Sequence, residues 1–168
     1  TSLATIVFTS LSSGYGHYKR GAIDMDLLRL WAPSLLVGVV IGAALGGYVS
    51  GYILIAVFAV VAAIVALDMI FRPTKDDPEP RGFSKLIWAA LGTVTGALSA
   101  MMGIGGGTIG VPLLNFLGYD IRRAVGTSAA IGFIIGLPGA VVYIFTGLGV
   151  EGLPPFSFGY VNLVAAAV

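Results

Sequence analysis

Residues 86–117 read LIWAALGTVTGALSAMMGIGGGTIGVPLLNFL, and how this stretch folds decides the rest of the chain. It carries no charge, so it belongs in an apolar environment. Its first part, 86–102, is apolar enough for a helix that crosses a bilayer. Gly103-Ile104-Gly105-Gly106-Gly107 then interrupts it, since each glycine disfavours helix by roughly 1 kcal/mol relative to alanine. The remainder, 108–117, makes about 15 Å of helix at 1.5 Å per residue. That is half of a roughly 30 Å hydrocarbon core. The stretch therefore reads as one span and a half-helix that enters and leaves on the same side. The alternative is two full crossings.

The flanking sequence has the same character. Of the 168 residues 57% are hydrophobic and 10% charged, and the mean hydropathy is +0.98. Soluble domains usually carry roughly 25% charged residues. A soluble fold is excluded because too few polar side chains exist to cover its surface. Disorder is excluded by the hydrophobicity, and nucleic-acid binding by a net charge of +1. With no cysteine, thiolate metal sites and disulfides are excluded too. The uncharged stretches 1–18, 30–67, 86–119 and 124–150 hold the candidate helices, expected at 1–13, 31–46, 51–71, 86–102, 108–117, 124–145 (kinked at Pro138) and from 158 onward. The loop 72–85 holds Pro73, Pro78 and Pro80 and should not be helical throughout. The chain starts and ends inside apolar runs, which reads as a piece of a longer membrane protein. Asp68 and Arg72, four residues apart, are expected to pair at a membrane interface, and Glu151 is the one acid expected on the far side.

The basic residues choose between the two topologies. With the hairpin, loops 14–29, 72–85 and 118–123 face one side and hold Lys19, Arg20, Arg29, Arg72, Lys75, Arg81, Lys85, Arg122 and Arg123, all nine basic residues of the chain. The opposite loops hold none. With a full crossing, Arg122 and Arg123 change sides. The positive-inside rule favours the hairpin, with the basic loops cytoplasmic. In that topology the helices that follow Thr1-Ser2-Leu3-Ala4 and Thr127-Ser128-Ala129-Ala130 run in opposite directions. This is an inverted repeat, a common plan of secondary transporters.

Glycines elsewhere recur every fourth residue: Gly38, Gly42 and Gly46; Gly92 and Gly96, followed by Ala100; Gly132 and Gly136. That spacing is a helix-packing face. The run at 105–107 is different. Non-helical backbone within a membrane must be buried in protein or line a cavity. A half-helix beginning there aims unpaired N–H groups and a positive dipole end at that cavity, which suits an anion. Gly105 to Gly110 also fits the glycine spacing of a dinucleotide-binding turn. Pro112 just behind it, and the lack of an acid about 20 residues on, exclude that reading. An intramembrane enzyme is disfavoured because the uncharged stretches offer no Cys, Asp, Glu, Lys or Arg. The chain is read as a non-enzyme, without catalytic residue, metal or cofactor.

Gly103-Ile104-Gly105-Gly106-Gly107, Val111-Pro112-Leu113-Leu114 and Arg123-Ala124-Val125-Gly126-Thr127-Ser128 together resemble the sulfite exporter TauE/SafE family. Gly152-Leu153-Pro154 and Ser157-Phe158-Gly159-Tyr160-Val161-Asn162 are similar to it as well. The resemblance implies an all-α, polytopic integral membrane protein: an inverted-repeat transporter with a re-entrant Gly-rich helical hairpin, in the bacterial inner membrane. Residues 1–71 would be the later part of the first repeat, 72–85 a cytoplasmic linker, and 86–168 the second repeat. Its partners would be the lipid bilayer and a small sulfur oxyanion or organosulfonate, such as sulfite, sulfoacetate or thiosulfate. Substrate contact would fall on Gly105, Gly106, Gly107, Thr108, Thr127 and Ser128, joined by Thr1 and Ser2 from the other repeat. For Thr127 and Ser128 the plainer reading is an N-cap. The alternative functions are an anion channel and a structural membrane subunit.

Overall fold

The computed structural model describes residues 1–71, 84–150 and 152–167. The proline-bearing loop, the Asp68–Arg72 pair, Glu151 and the basic residues Arg72, Lys75 and Arg81 lie outside them. Among the described residues seven helices follow one another: α1 (Ser2–Lys19), α2 (Met25–Leu45), α3 (Gly51–Phe71), α4 (Lys85–Met102), α5 (Gly105–Phe116), α6 (Ile121–Thr146) and α7 (Leu163–Ala167). A two-residue ribbon, β1 (Ser157–Phe158) paired antiparallel with β2 (Val161–Asn162), precedes α7. Among the described residues, α2, α4 and α6 are long and apolar enough to cross a membrane. The described residues are all-α apart from the ribbon.

Three helices stop by the same device. After Lys19, Met102 and Phe116 the chain reaches a glycine with positive φ: Gly21 at 63°, Gly103 at 67° and Gly118 at 92°. The residue after each glycine donates its N–H back to the carbonyl five residues earlier, as from Ile104 to Ser99, which satisfies the open helix end. The starts are set by acids and a serine. Asp24 accepts from Leu27 N–H, Ser84 from Ile87 N–H and Asp120 from Arg122 N–H.

These caps explain where the observed helices differ from those expected. α1 runs on past residue 13 to Lys19, where Gly21 at positive φ ends it. α2 begins at Met25 rather than 31, because Asp26 and Arg29 stand exposed on its first turns. α5 begins at Gly105 rather than 108, so the three glycines are its first turn. α6 begins at Ile121 rather than 124 and carries Pro138 within it. The last helix starts at Leu163 rather than 158, because the ribbon occupies 157–162 and Asn162 Oδ1 caps α7 by accepting from Ala165 N–H at 2.9 Å.

Glycine fixes how the helices run. A Cβ on Gly38 would strike the Thr93 carbonyl, one on Gly42 the Ala97 carbonyl, and one on Gly96 the Leu35 carbonyl. Gly92 is filled by Ser34 and Trp31. The residue numbers rise together, so α2 and α4 are parallel with their backbones in direct contact. Leu3 sits at Gly136 and Gly139, and Ser10 at Gly132, so α1 and α6 are antiparallel. Gly106 meets Gly132 and Gly110 meets Ser128, so α5 and α6 are antiparallel as well. Asp24 bonds Thr127 and Val39 approaches Gly139, which makes α2 parallel to α6.

It follows that α5 folds back along α4 as a hairpin. The ring of Tyr119, just past α5, stands edge-on to that of Trp88 in the first turn of α4, 6.2 Å away. Lys19, Arg20, Arg29, Lys85, Arg122 and Arg123 therefore gather at one end of the bundle. The core is built from Leu3, Trp31, Leu35, Val39, Ile131 and Ile135. On α2 the buried Leu35 and Val39 alternate with exposed Val37, Val40 and Ile41, the pattern of a helix with one face on protein and one on an apolar solvent.

Candidate functional site

The hairpin turn is held from three sides. Ser99 Oγ donates to the Gly105 carbonyl at 3.0 Å and is fully buried. Tyr143 OH, from α6, donates to the Ala100 carbonyl at 3.2 Å. Ile6 of α1 packs against Gly105, whose φ of 71° requires glycine. Neither Ser99 nor Tyr143 stood out in the sequence. Ser99 looks like one more small residue in a helix rich in them, and Tyr143 like any aromatic of a span.

α5 then starts with three glycines. Its N-terminus has no side-chain cap. Gly106 is buried so tightly that a Cβ would lie 2.6 Å from the Gly132 amide nitrogen and 2.7 Å from Ile131 Cγ2. Gly107 is the opposite: exposed, with nothing within 4 Å of where its Cβ would be. Thr108 is exposed, its hydroxyl 3.5 Å from the Ile104 carbonyl. Gly132, against which the turn packs, is twelve residues into α6 and so about 16 Å along it. The turn thus lies near half-depth between the two ends of the bundle.

Thr127 and Ser128 stand in the second turn of α6 and are fully buried. They do not cap the helix; Asp120 does. Thr127 Oγ1 accepts from Asp24 N–H at 3.0 Å and so ties the α1–α2 connection to α6. Beside it, Gly126 admits the Ala22 carbonyl where a Cβ would otherwise be. Ser128 Oγ faces Gly110 on α5, 2.7 Å from where a Cβ would stand, and is the one buried side-chain polar atom among the described residues with no hydrogen-bond partner. A buried hydroxyl without a partner costs about 1–3 kcal/mol.

Thr1 and Ser2 lie against the hairpin turn, on its side away from the basic residues. With Ala100, Gly103, Tyr143 and Tyr160 they line a cavity of about 280 Å³ above the hairpin turn. Thr1 Oγ1 donates to the Tyr160 carbonyl at 3.3 Å and accepts from Asn162 N–H at 3.0 Å, joining α1 to the ribbon. A Cβ on Gly103 would stand 2.5 Å from Ser2 Oγ. The eight residues singled out in the sequence therefore form three neighbouring groups around α5. Gly105 to Thr108 make its start, Thr127 and Ser128 flank its middle, and Thr1 and Ser2 sit above its turn. Among the described residues no group of His, Asp or Glu is placed to hold a metal ion.

At the basic end, burial raises the Tyr119 phenol above its ordinary value, and the Asp24 carboxylate adds to this while Arg123 opposes it. Tyr119 therefore stays neutral at physiological pH, and its ring serves as an edge contact to Trp88.

The family model of the sulfite exporter TauE/SafE matches residues 1–168, the whole chain. A probable membrane transporter protein of Haemophilus influenzae is 33% identical over 165 residues, covering 98% of this chain and 62% of that protein. A probable membrane transporter protein of Bacillus subtilis is 29% identical over 153 residues, covering 88% of this chain and 62% of the relative. A third, from Methanocaldococcus jannaschii, is 32% identical over 77 residues, 46% of this chain and 28% of that protein. The chain thus spans at most about three fifths of the length of these relatives. No solved structure matches it. The hairpin glycines, the Thr127-Ser128 turn and the Asn162 corner all lie inside the matched region, and on that full-length match the chain belongs to the sulfite exporter TauE/SafE family.

Proposed function

We propose that this chain is the helical body of a multi-pass transporter that moves small sulfur-containing anions across the bacterial inner membrane. The substrate class is sulfite, sulfoacetate, thiosulfate or another sulfonate. Residues 1–71 contribute the later part of one repeat, 72–85 a cytoplasmic linker and 86–168 the inverted second repeat. α4 and α5 form the re-entrant hairpin, and the basic loops are cytoplasmic. Two observations support this topology: six basic residues lie at one end of the bundle, and α1 runs antiparallel to α6.

The observation that carries the reading is the start of α5. It is a helix N-terminus made of glycine, uncapped, at half-depth in the bundle and open at Gly107. The first N–H groups of a helix have no partner within it, and its dipole is positive there. A tetrahedral oxyanion is held in such a place by backbone donors, without burying a lysine or arginine in hydrocarbon. The Thr108 hydroxyl stands on the same open turn, and the unpartnered Ser128 Oγ lies one turn further along. Thr1 and Ser2, above the turn, belong to the path between the site and the far end.

The test is flux of sulfite, thiosulfate and sulfoacetate by the full-length protein in sealed vesicles. Gly107→Leu fills open space, so it leaves the fold intact and blocks the helix end. Flux should fall roughly tenfold or more, the loss expected of one charge-assisted hydrogen bond. Normal flux in a folded Gly107→Leu protein would place the site elsewhere.

A further inference from the structure

A second opening lies between α1 and α6, at the basic end and away from the hairpin turn. Its volume is about 340 Å³. Leu11, Tyr15, Leu28, Phe133 and Ile134 line it, and Gly14 opposite Ala130 forms its floor. Its walls are almost wholly apolar, and its mouth is not. The Lys19 ammonium stands 4.5 Å over the Tyr15 ring, and Arg20 follows at the helix end. Tyr18 stands exposed beside them. The nearby acids are engaged: Asp24 accepts from Leu27 N–H, and Asp26 lies 3.9 Å from Arg29. Among the described residues, neither Lys19 nor Arg20 is in an ion pair.

The geometry points to a binding site for an anionic diacyl phospholipid: an acyl chain in the α1–α6 groove and its phosphate against Lys19 and Arg20. An apolar slot gives no reason to prefer one headgroup over another. A slot whose lining Tyr15 carries the Lys19 ammonium over its ring, with Tyr18 beside it and Arg20 next in the chain, does. Gly14 matters here because its missing side chain makes the depth of the groove. A Cβ there would meet only the Ala130 Cα at 4.0 Å, so the glycine is not needed to avoid a clash.

The full-length protein is released from vesicles holding phosphatidylglycerol and phosphatidylcholine in equal amounts with matched acyl chains, and the lipids it retains are weighed by native mass spectrometry. Phosphatidylglycerol should be retained in preference. Lys19→Ala and Arg20→Ala should each lower that preference roughly fivefold, the effect of one basic residue near an anionic surface. Gly14→Leu should reduce retention of both lipids while leaving the protein folded. A photoreactive phosphatidylglycerol should crosslink to peptides containing Leu11–Tyr18 and Ala130–Ile134. Equal retention of the two lipids by the unaltered protein would overturn the proposal. So would crosslinks confined to other helices, or a segment of protein found crosslinked into the groove.

Discussion

The α2–α4 seam and the start of α5 are both built from glycine, and they use it in opposite ways. Along the seam Gly38, Gly42, Gly92 and Gly96 let another backbone or a tryptophan ring occupy the place of a side chain. Nothing can enter, and the two helices are locked in register by contact. At α5, Gly106 is equally closed but Gly107 faces open space, and the helix end beside it lacks a cap. The seam spends its missing side chains on contact between helices. The turn spends one on contact and leaves the next as access. Spacing tells them apart: glycines four apart make a face, whereas consecutive glycines point in different directions around the helix and cannot all be buried.

Substitutions can break this contrast, and the largest effect belongs to the seam. Gly42→Leu drives a side chain into the Ala97 carbonyl and should destabilise the protein by about 3 kcal/mol, seen as loss of monodisperse protein on mild heating in detergent. Gly107→Leu should leave that melting unchanged within about 1 kcal/mol, because its Cβ meets nothing. If both variants melted alike, the distinction between closed and open glycine would fall.

Thr127 and Ser128 sharpen the comparison on a smaller scale. Thr127→Ala removes the acceptor of Asp24 N–H and should cost about 1 kcal/mol. Ser128→Ala removes a buried hydroxyl that bonds to nothing, so it should not lower stability and should raise it by about 1 kcal/mol. If Ser128 serves the anion, its alanine variant loses flux while keeping its stability. Unchanged flux would remove it from the site. The smallest effect on flux lies at the basic end. Asp120→Ala removes the cap of α6 and should cost about 1 kcal/mol with little effect on flux, as thermal melting and vesicle assays would record.

The seam was legible in the sequence because contact between helices leaves a periodic trace. Gly38, Gly42, Gly92 and Gly96 fall where the four-residue repeat puts them. The break between α4 and α5 was legible from its run of glycines. The helix starts were not. Asp24 and Asp120 look like ordinary loop acids until their backbone bonds are known, so α2 and α6 were expected to begin late. The start of α5 was misplaced for another reason: three glycines argue against helix by propensity, and contact with Gly132, Ile131 and Ile6 overrides it. The ribbon at 157–162 left no trace, since two-residue strands have no periodicity to read. The separation of Thr1 and Ser2 from Thr127 and Ser128 was also hidden, because it depends on how α1 slides along α6.

One feature of the core gives the molecule an internal signal. The chain has two tryptophans, and both are in one place. Trp31 donates its indole N–H to the Trp88 carbonyl at 2.7 Å, and the rings stand edge-on with centroids 5.5 Å apart. Tyr119, at the exit of the hairpin, touches the second of them. The tryptophan emission of residues 1–168 therefore comes from the junction where the locked seam meets the hairpin. If the hairpin shifts against the seam during transport, the colour and intensity of that emission change with it, and the protein reports its own movement without a label.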